Sequence, residues 1–185
     1  MPRQINHATR RDAISDAVVA IAADHGFAAV TIRAVAKHVG ASTSVVTHYV
    51  ASRDELLRGA VRRELAIRQD EADTALAGLS GATGLRALVH WAVTDLGERV
   101  HRFWLALLIA AHAEPVLRAE LNEFNTWWDT HLRDFVTESG VSSPEVVIDT
   151  LDVVIDGLVT AGFEAPFDAA RRDRVLDRVW TALDL

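Results

Sequence analysis

Apolar residues recur at helical spacing along the chain, and no stretch shows the strict alternation of a half-buried β-strand. The longest regular stripe has intervals of four, three, four, four and three residues, and it consists of Leu117, Leu121, Phe124, Trp128, Leu132 and Phe135. A first helix is predicted from about Thr9 to Gly26. Because each stripe marks one face to be buried, the pattern predicts an all-α fold of about nine helices.

Small residues and prolines mark the expected helix ends. The run 77–84, AGLSGATG, predicts a linker or loop, and Pro115 predicts the end of the helix before it. Ser143-Pro144-Glu145 combines a capping residue, a first-turn proline and an acid near the positive end of the helix dipole. Two last helices are therefore predicted, over 144–162 and 168–183, with Asp168 as the cap of the second.

Residues 31–50, TIRAVAKHVGASTSVVTHYV, predict two short helices joined by a glycine turn. Thr31 is expected to cap the first helix, Gly40 to end it, and Ser42 to cap the second. The outward face of that second helix is small, polar and free of acids, and consists of Thr43, Ser44, Val45, Thr47, His48 and Tyr49. Such a face can enter the major groove of DNA. A plain helical hairpin within an all-α domain is the alternative.

The charge distribution changes how the acidic composition is interpreted. The net charge is −7, which is not typical of a nucleic-acid binder. Residues 1–58, however, hold seven Arg and Lys against five Asp and Glu, a net charge of +2. The remaining residues hold twelve against twenty-one, a net charge of −9. Phosphate contact requires only a local basic surface, so the first third of the chain can still bind DNA.

Composition also limits the compartment and the number of domains. The chain has 185 residues, half of them apolar, which is enough for one domain or two small ones. It contains no cysteine, so disulfides and thiolate metal sites are excluded. The longest apolar run, Phe103–Ala111, is too short to cross a membrane, and the N-terminus lacks the apolar core of a signal peptide. We therefore expect a cytoplasmic protein with no membrane partner.

Three helices, a glycine turn and a long fourth helix resemble the TetR family of transcriptional repressors. The matching residues are Ile32, Ala36, Gly40, Ser42, Tyr49 and the run Ser52–Leu57. The resemblance implies a helix-turn-helix DNA-binding domain over residues 8–65 and a C-terminal ligand-binding and dimerisation domain over residues 66–185. It also implies two partners, a double-stranded DNA operator and an unidentified small-molecule effector. No cofactor is implied.

Three positions depart from the usual pattern of the family. Thr47 and Val50 stand where aromatic residues are usual, and Arg53 stands where lysine is usual. A Thr before His48-Tyr49 is similar to one branch, the choline-responsive repressors of glycine-betaine synthesis. Residues 103–120, FWLALLIAAHAEPVLRAE, and the later IDGL at 155–158 also resemble that branch.

Motif and resemblance together imply a set of DNA-contacting residues. They are Thr31, Arg33, Ser42, Thr43, Ser44, Val45, Thr47, His48, Tyr49 and Arg53. Arg33 and Arg53 are expected to bind phosphates. Thr31 is expected to present a helix N-terminus to the DNA backbone.

Aromatic residues in the C-terminal part are candidates for a ligand pocket. The candidate set is Trp91, Phe103, Trp104, Leu107, His112, Trp127, Trp128 and Phe163. Trp127 and Trp128 are adjacent, so they point about 100° apart on a helix and cannot both face one core. A tryptophan face beside a carboxylate could hold a quaternary ammonium group. Ordinary core packing is the alternative for each aromatic residue, and Asp156 would need a partner if buried.

Metal binding and catalysis have little support in the sequence. His101 and His112 are eleven residues apart on one predicted helix, about 16 Å along its axis, so they cannot share an ion. No catalytic or phosphate-binding motif occurs, which leaves a helical-bundle enzyme as a remote alternative. The sequence therefore predicts a homodimeric repressor, paired through its last two helices and released from a palindromic operator by a small molecule. A ligand-independent helix-turn-helix repressor or architectural DNA-binding protein is the nearer alternative.

Overall fold

The computed structural model describes residues 7–94, 97–161 and 169–185. Within these ranges the chain forms nine α-helices and one 3₁₀ turn, and it has no strand. The helices are α1 (His7–His25), α2 (Ile32–His38), α3 (Thr43–Thr47), α4 (Arg53–Leu76), α5 (Gly81–Val93), α6 (Glu98–Ala111), α7 (Pro115–Glu138), α8 (Pro144–Ala161) and α9 (Ala169–Ala182). The 3₁₀ turn is Phe27–Ala29. The prediction of an all-α fold is confirmed.

The start of α5 differs from its prediction. The small-residue run 77–84 was expected to be a linker or loop, yet α5 begins at Gly81. Gly84 has a packing reason within this run, because a Cβ atom there would lie 2.3 Å from Cε1 of Phe135. The helix therefore needs glycine at this position for close packing, which outweighs the poor helix propensity of glycine.

The helices group into two compact units that do not follow chain order. The first unit contains α1 to α3, α4 as far as Arg68, α6, and α7 as far as Phe124. The second contains the remainder of α4 and α7 together with α5, α8 and α9. The predicted boundary between residues 65 and 66 is a statement about functional domains, and it stays a prediction.

The core of the first unit forms where α1 packs against α6 and α2 packs against both α1 and α3. Its centre includes Val18, Phe27, Val46, Leu57 and Phe103, none of them more than 1 % exposed. The rings of Phe27 and Phe103 lie 5.6 Å apart, centroid to centroid. This core fixes the short helices α2 and α3, which are too short to be stable alone.

The second unit has its own apolar core, with α5 packed against α8. Leu88, Leu132, Val136 and Leu151 are fully buried there, and Trp180 from α9 closes the cluster. Five of the six residues of the predicted α7 stripe are buried, and Trp128 is partly buried; α7 also buries Val116, Glu120 and Val136. The predicted cap Asp168 and the predicted pocket residue Phe163 lie outside the described residues.

Candidate DNA-binding and ligand-binding sites

The helix-turn-helix segment is built by local signals that the sequence contains. The hydroxyl oxygen of Thr31 accepts a hydrogen bond from the backbone N–H of Ala34 at 3.0 Å, which caps α2 as predicted. Gly40 has φ +64°, the left-handed conformation that glycine adopts without strain. Val35 and Val46 are fully buried, so one face of each helix is anchored and the other faces outward.

The outward face of α3 consists of hydroxyls and an imidazole. Thr43, Ser44, Thr47 and His48 are exposed there, while Val45 and Tyr49 are partly buried. Neither α2 nor α3 contains an acidic residue in the first turn, and α3 contains none at all. The segment therefore presents hydrogen-bonding groups without the carboxylates that would repel phosphate.

The prediction that the Ser42 side chain caps α3 is wrong. Ser42 occupies the N-cap position, but its hydroxyl makes no bond to the helix backbone. Instead its Oγ lies 2.8 Å from Oγ of Ser44, and the hydroxyl of Thr47 donates to the carbonyl of Ser44 at 3.2 Å. Because the hydroxyls bond one another and the backbone, they are held in place on the outer surface of α3 before any partner arrives.

A cluster of three rings lies at the C-terminal end of α3. The centroids of His7 and His48 are 6.2 Å apart, those of His7 and Tyr49 are 5.7 Å apart, and those of His48 and Tyr49 are 5.3 Å apart. His7, from the start of α1, was not among the predicted site residues. No local signal identifies it, because its partners are about forty residues away in sequence.

Arg33 and Arg53 were both expected to bind phosphates, and the structure places them differently. Arg33 is exposed on α2. Arg53 donates from Nε to the carbonyl of Val30 and from Nη2 to the carbonyl of Phe27, each at 2.8 Å. It also forms a two-bond pair with the carboxylate of Glu114 at 2.8 and 3.0 Å. Four of the five N–H groups of Arg53 are thus already donated within the protein, which disfavours a phosphate contact; that contact stays a prediction.

A second arginine–glutamate pair lies nearby in the first unit. Glu120 is only 3 % exposed, and its two oxygens accept from Arg62 at 2.8 and 2.9 Å. Arg58 lies 3.6 Å from the same carboxylate. Sequence analysis missed this pair and the Arg53–Glu114 pair, since their members are 58 and 61 positions apart. Both hold the start of α7 to α4.

Of the predicted pocket residues in the first unit, two belong to its core. Phe103 and Leu107 are completely buried, which favours the alternative of ordinary core packing; their assignment to a pocket wall stays a prediction. Trp104 is half-buried and meets Phe124 edge to face at 5.1 Å. His112 is exposed at the end of α6, and its carbonyl accepts a hydrogen bond from Arg118. Only Trp104 and His112 therefore remain accessible.

The predicted pocket residues of the second unit form two separate groups. Trp127 packs edge to face against Trp91 at 6.0 Å and lies 4.5 Å from the ring of His131. Trp128 instead donates from its indole N–H to Oδ1 of Asp152 at 3.3 Å. The adjacent tryptophans thus contact different partners, as expected from their 100° separation.

The pKa of Asp152 is raised above the ordinary value of an aspartate. Partial burial raises its pKa, the hydrogen bond from Trp128 opposes this, and the nearby acids Asp129, Asp156 and Asp149 raise it further. Burial also raises the pKa of Asp156. Asp152 and Asp156 therefore both resist ionisation, and a cation bound beside Asp152 would offset the repulsion from its acidic neighbours.

Two further findings apply to the described residues alone. They contain no group of three or more His, Cys, Asp or Glu side chains that could hold a metal ion. None of the helices in these ranges is both long enough and apolar enough to cross a membrane.

An outward-facing, acid-free helix on a helix-turn-helix scaffold is typical of a DNA-binding transcriptional regulator. Two family models match the chain. One is described as bacterial regulatory proteins of the tetR family and matches residues 14–60, and the other is a tetracyclin repressor-like C-terminal domain that matches residues 79–184. The chain therefore belongs to the TetR family, whose members bind DNA operators and small-molecule effectors, typically as dimers. They are regulators and not enzymes, as predicted.

Individual relatives agree with this placement. The regulator BetI of Burkholderia thailandensis is 28 % identical over 178 residues, covering 91 % of this chain and 90 % of its own length. The regulator PksA of Bacillus subtilis is 36 % identical over 62 residues, which is 34 % of this chain and 30 % of PksA. The BetI match supports the branch resemblance drawn from the sequence.

Solved structures share the fold. A transcriptional regulator from Rhodococcus sp. Rha1 has a TM-score of 0.80 at 21 % identity, over 94 % of this chain and 95 % of that one. A regulator from Saccharomonospora viridis, solved in complex with choline, has a TM-score of 0.79 at 17 % identity, over 95 % and 97 % of the two chains.

Proposed function

We propose that the protein is a homodimeric repressor that binds a palindromic DNA operator and leaves it when a small molecule binds. The observation that carries the proposal is the exposed face of α3, which has ordered hydroxyls, an imidazole and no acid. DNA binding requires the two α3 helices of the dimer to be spaced to fit the operator. A ligand that binds more tightly to a form with a different spacing would shift the population away from the DNA-bound form. Action on chromosomal DNA would place the protein in the cytoplasm.

The proposed DNA contacts divide by chemistry. The hydroxyls of Thr43, Ser44 and Thr47 stand on the part of α3 that enters the major groove, where they can meet base edges. Val45, on the same face, offers methyl groups for apolar contact with the bases. The remaining proposed contacts position the protein on the sugar-phosphate backbone, and they come from Thr31, Arg33, Ser42, His48 and Tyr49. Arg53 is not included, because its guanidinium is engaged within the protein.

Substitutions at Thr43 and Arg33 are expected to act differently on DNA binding. Thr43→Ala should change the preferred base pairs, by about 1–3 kcal/mol at the contacted position if the contact is direct. Arg33→Ala should weaken binding to all sequences and lower the slope of log affinity against log salt by about one unit. Selection from a random duplex library, followed by binding at several salt concentrations, measures both effects.

Thr74→Ala is the matched control, because Thr74 is an exposed threonine on α4 whose hydroxyl bonds only the carbonyl one turn back. It should leave both affinity and preference unchanged. Equal binding of the natural protein to random DNA and to the best selected duplex would contradict the repressor proposal.

We place the dimer interface on the last two helices. Val146 and Val153 on α8 are 60 % and 73 % exposed, an unusual exposure for large apolar side chains seven residues apart on one helix face. A two-fold dimer buried there would place two copies of α3 about 34 Å apart, one turn of DNA, and would require a palindromic site. Sedimentation equilibrium that showed only monomer at micromolar concentration would contradict this assembly.

The proposed effector is a small organic cation. Trp128 and Asp152 supply an aromatic ring and a carboxylate in contact, the two groups that attract a quaternary ammonium ion. Partial burial and the neighbouring acids raise the pKa of Asp152, so a cation bound beside it would favour its ionised form. The Saccharomonospora viridis regulator of the same fold, solved with choline, makes choline the first compound to test.

Asp152→Asn should abolish the response to such a cation. Choline is expected to release the natural protein from DNA and to raise its melting temperature, whereas the variant should show neither effect. The uncharged carbon analogue 3,3-dimethylbutan-1-ol should act on neither protein. Asp134→Asn, which changes an exposed acid on α7 that is not among the acids acting on Asp152, is the matched control and should retain the response.

Asp152→Asn should also change how the free energy of unfolding of the ligand-free protein depends on pH. Because burial raises the folded-state pKa of Asp152, the folded protein binds this proton more tightly than the unfolded chain. The stability should therefore rise as the pH falls from above the raised pKa toward the ordinary value of an aspartate. Asp152→Asn should flatten this dependence. A cation response that survives the substitution, with the pH dependence gone, would remove Asp152 from the effector site.

A further inference from the structure

A groove of about 440 Å³ lies within the first unit, lined by α1, α4 and the segment that follows α3. Three of its lining residues, Ile14, Leu56 and Ala60, are apolar and no more than 3 % exposed. Tyr49 and Val50, which follow α3, line it as well and are partly buried. Its volume falls within the range of small-molecule sites, which are concave and mostly apolar.

Gly59 also lines the groove, although neither the backbone nor the packing of α4 requires glycine there. Its φ is not positive, and a Cβ atom at this position would meet no heavy atom within 4 Å. Glycine in a helix interior costs about 0.5–1 kcal/mol relative to alanine. The chain accepts this cost at Gly59, and the result is an open space beside the groove that a larger side chain would fill.

Four charged side chains line the groove, and three of them are already engaged. Arg63 lies 3.3 Å from the carboxylate of Asp12. Glu55 accepts a hydrogen bond from the backbone N–H of Ala51 at 2.6 Å. The guanidinium of Arg11 forms no hydrogen bond or ion pair with any residue that the structure describes. The uncompensated charge of the groove is therefore positive.

We propose that this groove is a second ligand site and binds a small organic monocarboxylate with an apolar body. The carboxylate would pair with Arg11, whose planar guanidinium can donate two parallel N–H bonds to it. The apolar body would cover Ile14, Leu56 and Ala60 and extend into the space beside Gly59. The proposed cation site lies in the second unit, so the two sites differ in place and in the charge of their ligands.

A DNA phosphate is the other anion that could meet Arg11, because the segment after α3 lines the same groove. A phosphate group is fully polar, however, and would leave the apolar lining of the groove uncovered. A carboxylate joined to a hydrocarbon body satisfies both the cation and the apolar surface. The observations therefore favour the small molecule.

Tyr49 connects the groove to DNA binding, and this connection rests on the proposed function. Its ring lines the groove and also lies within 6 Å of the rings of His7 and His48 at the end of α3. A ligand packed against Tyr49 would shift the ring on which a proposed contact to the DNA backbone depends. The bound carboxylate is therefore expected to lower the affinity for the operator.

Sodium octanoate is the probe for this site, because it joins one carboxylate to a flexible apolar chain. Its titration into the full-length, ¹⁵N-labelled protein should shift the amide signals of Ser15, Tyr49 and Gly59, which line the groove. The uncharged analogue 1-octanol should bind about tenfold more weakly, because it cannot form a charge-assisted pair with Arg11. Octylammonium, with the opposite charge, should not bind there.

Two substitutions separate the charge from the shape of the site. Arg11→Gln should weaken octanoate binding about tenfold and leave the binding of 1-octanol unchanged. Arg10→Gln is the matched control, because this neighbouring arginine does not line the groove, and it should bind octanoate normally.

Gly59→Leu should fill the space and abolish octanoate binding, whereas Gly59→Ala adds a single carbon and should retain it. Because a Cβ atom there meets no neighbour, both variants should melt at or above the temperature of the natural protein. Loss of binding in Gly59→Leu would then reflect the filled groove and not a failure to fold.

The outcomes separate this site from the proposed function. A folded protein whose groove signals do not move with octanoate, or whose shifts survive both Arg11→Gln and Gly59→Leu, would overturn the site. If octanoate does not bind and Arg11→Gln lowers the salt slope of DNA binding by about one unit, Arg11 contacts phosphate and the proposal is wrong.

Octanoate that binds in the groove without changing operator affinity would overturn the connection to DNA alone. A protein that binds octanoate there but selects no operator would contradict the proposed function and support the ligand site.

Discussion

The substitution Phe103→Ala should lower the free energy of unfolding by about 3–5 kcal/mol. Phe103 is completely buried in the core of the first unit, and its ring packs against that of Phe27 at 5.6 Å. Truncation would remove apolar contacts from both α6 and the turn before α2, and would leave a cavity that surrounding helices fill only in part. Urea denaturation followed by circular dichroism gives the free energy directly.

Trp104→Ala is the matched comparison, because Trp104 is the next residue on the same helix and is only half-buried. It should cost clearly less stability than Phe103→Ala, despite the larger side chain. Comparing the stability of the two variants shows whether Phe103 packs in the core or lines a pocket. A mild loss of stability in Phe103→Ala, together with an altered response to effector, would return Phe103 to the pocket predicted from sequence.

Arg53→Ala is expected to lower the free energy of unfolding by about 2–3 kcal/mol, because it leaves a carboxylate and two carbonyls without their charged donor. The carbonyls belong to Phe27 and Val30, and the carboxylate belongs to Glu114. Arg53 thus ties the turn before α2 to the residue that precedes α7. Operator affinity should fall because α2 and α3 lose part of their support.

The salt dependence of DNA binding distinguishes this structural role from a phosphate contact. Loss of a phosphate contact would reduce the slope of log affinity against log salt by about one unit, whereas loss of an internal support should leave the slope unchanged. Arg53→Lys is the conservative control: lysine keeps the charge but cannot supply four donors in a planar fork, so it should recover only part of the stability. A reduced slope in Arg53→Ala with unchanged stability would reinstate the phosphate contact.

The sequence by itself determined the local features of the helix-turn-helix segment. The capping of α2 by Thr31, the left-handed Gly40 and the burial of Val46 each depend on residues within a few positions, so their spacing alone predicts them. The same holds for the acid-free face of α3 and for Pro144 at the start of α8. Those local patterns were enough to identify the family.

Tertiary structure decided which side of a helix meets which neighbour. Arg53 looked like a surface cation because its partner Glu114 is 61 positions away. Phe103 and Trp104 are chemically alike in sequence, yet only the packing of α6 buries one and leaves the other half-exposed. The sequence predicted a loop at Gly84, whereas the structure places Gly84 in α5 against the ring of Phe135. Periodicity shows that a face is buried, but the partner depends on how distant helices pack, and that information is spread over the whole chain.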